Sequence, residues 1–360
     1  MAIADNILPA VASPPGEFLA DELAERGWSI TEFAAILGRP PQMVSEIING
    51  RKEITPATAM EIGAATGTAA ETWLRLQDTY RLWRLGQDKP STSKVSDVQR
   101  RARLAELVPI RELIKRQIVP ESGLEAQERA VCDLLDISSL DERPRFAMAA
   151  RRANQEAPLV PAQLTWLACV RRAASQLRVA SFDSAGLLSL ATQLTRTVRQ
   201  PTDLIGLPRC LAEIGVRLVY VTRFDKSKID GAAYCDEDGP IVALSGRISR
   251  FDSVLFTLLH EIAHVRSGHV GYFIDDDIGS PSTSAIEIAA DDLAQQWALP
   301  QPLVIDAPIS RAKVLRCAGQ LGVSPAVVVG RLHHAGKLPW SHLNNLVPNV
   351  RPFLEAWSER

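Results

Sequence analysis

Two of the six histidines in the chain frame the segment His260-Glu261-Ile262-Ala263-His264. Residues four apart on a helix lie on one face, one turn from each other. That is the spacing two imidazoles need to share one tetrahedral Zn2+. Glu261 follows the first histidine and projects beside the open coordination position, where it can take a proton from an attacking water. The chemistry implied is metal-assisted hydrolysis. The preceding run Val254-Leu255-Phe256-Thr257-Leu258-Leu259 is apolar enough to bury the helix and set its rotation.

A hydrolytic zinc takes three protein ligands and leaves one position open. Glu287 is the expected third ligand, with Asp291 one turn later on the same face of the next predicted helix. Asp291 could accept the N–H of a ligating histidine and set its tautomer. His269 and the acidic run Asp275-Asp276-Asp277 are the competing sources. No oxyanion stabiliser stands out, and Tyr272, His333 and His334 are the options.

A second constellation lies near the N-terminus. Thr31 to Asn49 has the layout of a DNA-reading helix pair. Phe33, Ala34 and Leu37 form the inner face of the first helix, and the small Ala34 permits a close crossing. Gly38 makes the turn. Met43 or Val44, with Ile47 and Ile48, bury the second helix. Its outer face offers Gln42, Ser45, Glu46 and Asn49, with Arg51 and Lys52 just beyond. Gln and Asn can read adenine edges, and the cations, with Arg39, suit phosphates. Glu46 and the weak local positive charge work against tight binding.

The elements that must carry these residues are mainly helical. From Gly16 to Trp83 the pattern is that of five helices, broken at Gly27, Gly38 and Gly50 and restarted at Pro41 and Pro56. Residues 86–95, with Pro90 and two serines, read as a linker. Residues 96–200 are helical again. After Pro201 three strands are expected, over 216–221, 231–234 and 241–244, the last two joined by an acidic turn. Helices follow over 253–267, 284–298, 311–321 and 325–334. The fold class is therefore mainly α with a small β-sheet. Four segments are expected: 1–85, a helix-turn-helix domain; 86–200, a helical linker region; 201–310, the metal domain; and 311–360, its helical extension.

The bulk numbers bound the function. Apolar residues make up 46% and charged residues 23%, the balance of an ordinary soluble protein. A net charge of −2 excludes general nucleic-acid adhesion, so DNA binding must be local. The five cysteines are widely spaced with no Cys-x-x-Cys, as in a reducing compartment. No signal peptide or long apolar run is evident. A cytoplasmic location without membrane contact is expected.

Two family resemblances add to this reading. Residues 15–83 resemble the HigA-type antitoxin branch of the XRE helix-turn-helix family. The likeness rests on Pro15-Gly16-Glu17-Phe18-Leu19, Asn49-Gly50-Arg51, Ile54-Thr55-Pro56 and the run from Trp73 to Tyr80. Residues from about 205 to 335 resemble the ImmA/IrrE metallopeptidases. There it rests on Gly215 to Val219, Asp230-Gly231-Ala232, Pro240 to Ser245, Phe256 to His264, Glu287 with Asp291, and Trp297-Ala298-Leu299-Pro300. Val108 to Arg116 resembles the connector between two such modules. This chain has Ala289-Ala290-Asp291 where that family often has Glu-Ala-Asn or Glu-Ala-Asp.

The second resemblance implies an α+β zincin-like domain of the gluzincin type. It implies His260, His264 and Glu287 as zinc ligands and Glu261 as general base. The implied activity is cleavage of a regulatory protein, a repressor or antitoxin, whose peptide could pair along Ile241–Leu244 as an added strand. The first resemblance implies an operator DNA partner. It also supports a non-enzymatic alternative, an antitoxin or autorepressor whose metal domain senses a signal or holds a partner such as a cognate toxin. A homodimer is expected because helix-turn-helix proteins usually read two half-sites.

Overall fold

The computed structural model describes residues 11–146, 159–268, 273–275 and 285–357. The chain divides into two compact units, residues 1–101 and 102–360.

In the first unit five helices follow one another: α1 (Pro15–Glu25), α2 (Ile30–Leu37), α3 (Pro41–Ile48), α4 (Pro56–Thr66) and α5 (Ala70–Gln87). Their ends are written locally. The Ser29 hydroxyl accepts the Glu32 N–H, while the Glu32 carboxylate accepts the Ser29 N–H at 2.8 Å. Gly38, at φ 63°, ends α2 in the left-handed region, and Pro41 opens α3. Leu19, Phe33, Ala34, Val44, Ile47, Ile62 and Trp73 close around one core. Each large apolar side chain buried there contributes about 1.5–3 kcal/mol. Val44 and Ile47 are the buried pair on α3, and Met43 and Ile48 are only partly covered.

Residues 86–95, expected to be an irregular linker, are largely helical. A helix runs from Lys89 to Leu107. Asp88 nucleates it, accepting the Ser91 N–H at 3.2 Å and the Ser91 hydroxyl at 2.6 Å. Pro90 falls in the first turn, where it lacks only an N–H that has no helical partner.

The second unit is built on a four-stranded sheet: β1 (Arg217–Tyr220), β2 (Gly231–Asp236), β3 (Gly239–Leu244) and β4 (Phe273–Asp275), in the order β1-β3-β2-β4. β3 pairs in parallel with β1 and antiparallel with β2. β4 adds antiparallel to β2, with Ala232 opposite Ile274. This overturns the expectation that a peptide could add along Ile241–Leu244. β3 is paired on both sides and has no backbone groups to spare.

The sheet is covered on both faces. Leu218, Tyr220, Val242 and Leu244 pack with the helices Ser184–Thr197, Phe251–Arg266, Ala285–Ala298 and Pro325–His334. Alternate residues Val219, Ile241 and Ala243 turn the other way. They meet Leu104, Leu113, Val131, Leu135, Trp166 and Leu167, from helices before residue 200. The Trp166 indole N–H donates to the Val221 carbonyl at 2.7 Å. The region read as helical linker thus packs, from residue 102, with the sheet domain and supplies helices to both of its faces. Val327, Val328 and Val329 are buried in the first of these cores, so the last helix pair belongs to this domain. Among the described residues no helix is long and apolar enough to cross a membrane.

Candidate functional site

The Phe251–Arg266 helix carries His260, Glu261 and His264, and all three are buried. Leu255, Leu258, Leu259 and Ile262 are also buried, which fixes the helix rotation. The Ala285–Ala298 helix packs against it and is anchored by Ala290, Ala294 and Trp297. Glu287 and Asp291 occupy neighbouring turns of that second helix.

Four side chains meet between the two helices. His260 Nε2 lies 2.9 Å from His264 Nε2 and 3.1 Å from Glu287 Oε2. His264 Nε2 lies 3.4 Å from the same carboxylate oxygen. Asp291 Oδ1 stands 2.9 Å from His260 Nδ1. An ionised carboxylate only accepts, so Nδ1 carries the proton and Nε2 presents its lone pair. Burial alone would raise the Glu287 carboxyl. Where His260 and His264 are protonated on Nε2 and no ion takes the place of those protons, their hydrogen bonds and charge outweigh burial and hold it at about 2.

This donor set fits a metal ion. His260, His264 and Glu287 bring their ligand atoms within 4.8 Å of one another. Zinc–nitrogen bonds are roughly 2.0–2.1 Å, which puts two ligands on a tetrahedron roughly 3.3 Å apart. The observed separations fall around that value. Lone pairs converging on one point need a cation or shared protons to be satisfied, and Asp291 already aims one of them inward.

Glu261 is fully buried. Its carboxylate lies against the backbone of Gly231 in β2, where a Cβ would collide with it. Gly231 carries no positive φ, so close approach rather than backbone conformation requires glycine here. Nothing local in the sequence around Gly231 signals this contact with Glu261, thirty residues away. Beside it, Arg247 makes a two-pronged bond to Asp230, one arm at 2.7 Å.

The other expected groups separate. His333 is buried, with Nε2 3.0 Å from the His342 carbonyl and Nδ1 3.3 Å from Arg250 Nη2. His334 stacks on Phe256 at 6.1 Å. Neither joins the metal cluster. His269, Tyr272, Asp276 and Asp277 lie outside the described residues, as does the side chain of Asp275.

In the first unit, α3 presents Gln42 and Asn49 on its exposed face, with Ser45 and Glu46 half-buried. The Gln42 amide donates to Glu46 at 3.0 Å, and the Asn49 amide to the Ser45 carbonyl at 2.8 Å. Arg51 and Lys52 are exposed and have no ion-pair partner among the described residues. Arg39 departs from expectation. Its guanidinium is held by Glu61 through bonds of 3.1 and 2.5 Å, so reaching a phosphate requires leaving that carboxylate.

Comparison with known proteins matches both units. Residues 19–73 match a helix-turn-helix family, and residues 214–333 match the IrrE N-terminal-like domain of the M78 peptidases. The chain is 34% identical to virulence-associated protein I of Dichelobacter nodosus over 28% of its own length and 94% of the relative. It is 30% identical to the uncharacterized HTH-type transcriptional regulator YddM of Escherichia coli (strain K12), over 25% of its length and 88% of the relative. A solved HigA-family addiction module antidote protein from Coxiella burnetii is 36% identical, with a TM-score of 0.22. That likeness covers 23% of this chain and 90% of the other.

Proposed function

From a chain that belongs to the XRE-type helix-turn-helix family through its N-terminal unit and carries an M78 peptidase-like domain in its second, we infer a DNA-binding regulator that is also a zinc-dependent peptidase. Its substrate is a regulatory protein of the repressor or antitoxin type, and the chain itself is one such protein. The observation that carries this reading is the convergence of His260 Nε2, His264 Nε2 and Glu287 Oε2 next to Glu261. When bound, Zn2+ would supply a Lewis acid for a peptide carbonyl and for the attacking water.

The chain's own residues do the rest. His260, His264 and Glu287 hold the ion, and Asp291 fixes the His260 tautomer. Glu261 accepts the proton of the attacking water and returns it to the leaving amine. Gly231 lets the Glu261 carboxylate sit against the sheet. With β3 enclosed, the outer edge of β4 is the track on which a substrate strand would pair. In the other unit, Gln42, Ser45, Glu46 and Asn49 face base edges, while Arg51 and Lys52 contact phosphate, with Arg39 exchanging Glu61 for it. Reading two half-sites requires a homodimer, acting on operator DNA in the cytoplasm.

A peptide-library digest with zinc-loaded wild type, Glu261→Gln and Glu287→Ala tests the peptidase. Wild type should cleave, Glu261→Gln should bind about one zinc per chain without cleaving, and Glu287→Ala should lose the metal. Equal behaviour of wild type and Glu261→Gln on all peptides removes the enzymatic reading.

The enclosure of Glu261 favours a second reading, in which the chain is an antitoxin or autorepressor and the metal domain senses a signal or binds a cognate toxin. On that reading Glu261→Gln leaves operator binding and its regulation unchanged, whereas loss of a metal ligand impairs folding.

A further inference from the structure

A cavity of about 90 Å3 lies in the second unit, apart from the metal cluster. The helices Ser184–Thr197, Phe251–Arg266, Ala285–Ala298 and Pro325–His334 all contribute to its wall. Leu255, Phe256, Leu299 and Val327 make that wall mostly carbon. Phe256 stands one helical turn before His260, and Gln295 one turn after Asp291. The cavity therefore adjoins both ligand-bearing helices without sharing a metal ligand.

Its charge is uneven. Asp252 lines it, but Arg250 neutralises that carboxylate through bonds of 3.1 and 2.7 Å. Arg331 also lines it and has no carboxylate partner among the described residues. Its guanidinium donates instead to the neutral amide oxygen of Gln295 at 2.6 Å. A cation held in place by a neutral acceptor keeps donors available for an anion.

We propose that this cavity binds a small carboxylate with a compact aliphatic body, the apolar end against Phe256, Leu299 and Val327 and the carboxylate on Arg331. An apolar pocket with one oriented charge is the usual composition of a small-ligand site. The volume suits a short branched acid rather than a peptide or nucleotide. This inference stands whether or not the metal centre hydrolyses peptides.

Isovalerate and its neutral isostere isovaleramide distinguish the charge from the shape. Calorimetric titration of the full-length protein should give saturable isovalerate binding, with isovaleramide weaker by about tenfold or more. Arg331→Gln should bring isovalerate down to the amide's affinity. Gln295→Glu supplies Arg331 with an internal carboxylate and should abolish isovalerate binding while keeping the helix contact. The proposal is overturned by absence of saturable isovalerate binding, by equal affinity for acid and amide, or by unchanged isovalerate affinity in Arg331→Gln.

Discussion

Asp291 accepts the Nδ1–H of His260 at 2.9 Å, and that bond decides which imidazole nitrogen faces His264 and Glu287. Removing such a partner typically costs 10–100-fold in metal affinity. Asp291→Ala should therefore bind zinc roughly 10–100-fold more weakly in chelator competition. Asp291 is partly exposed, so the variant should keep its fold. Unchanged zinc affinity would mean the tautomer is set by something else.

Gly231 and Glu261 form a size-matched pair across the sheet and helix. Gly231→Ala should destabilise the second unit by about 1–3 kcal/mol, the cost of overpacking a tight contact. In a Glu261→Ala background the same change should cost much less. Thermal unfolding of the four proteins gives the coupling, and additive effects would show that the alanine methyl meets something other than Glu261.

Gln77 is buried in the first unit, and its side-chain oxygen accepts the Ile54 N–H at 2.9 Å. Gln77→Leu keeps the volume and strands that N–H. The expected loss is about 1–3 kcal/mol. It should appear as a lower unfolding midpoint for the N-terminal unit, with DNA affinity intact at low temperature. A neutral effect would place a water on Ile54.

Arg51 and Lys52 sit just past the reading helix without carboxylate partners among the described residues. If each meets a phosphate, neutralising either to Gln should weaken operator DNA binding across all sequences. The slope of log K against log salt should fall by about 0.9 for each. Gln42→Ala and Asn49→Ala should instead change base preference and leave that slope alone. A salt slope that ignores both cations would move the DNA surface off this face.

What could be read from sequence was local or periodic. His260 and His264 declare themselves by their spacing, and Glu287 with Asp291 by the same spacing on the following helix. The five N-terminal helices carry their caps and breakers with them, from Ser29 and Glu32 to Gly38. Errors arose wherever a distant partner decides the outcome. Arg39 looked available because Glu61 lies on another helix. β3 looked like an open track because strand order is a tertiary property. β4 is not among the three strands expected; its three residues become a strand only by pairing with β2. The exception is 86–95, where the deciding contact is local: the Gly, Pro and Ser content suggested an irregular segment, and the Asp88 cap starts a helix there.

The two-sided cover of the sheet has a consequence for how such genes can be cut and joined. The change of texture at Pro201 looks like a seam. A fragment starting there would lack Leu104, Leu113, Trp166 and Leu167, and Val219, Ile241 and Ala243 would face water. A bare apolar sheet face of that kind invites aggregation. Transplantation of the second unit into another gene must therefore carry everything from about Ala102 onward, including helices that contribute no residue to the candidate metal site.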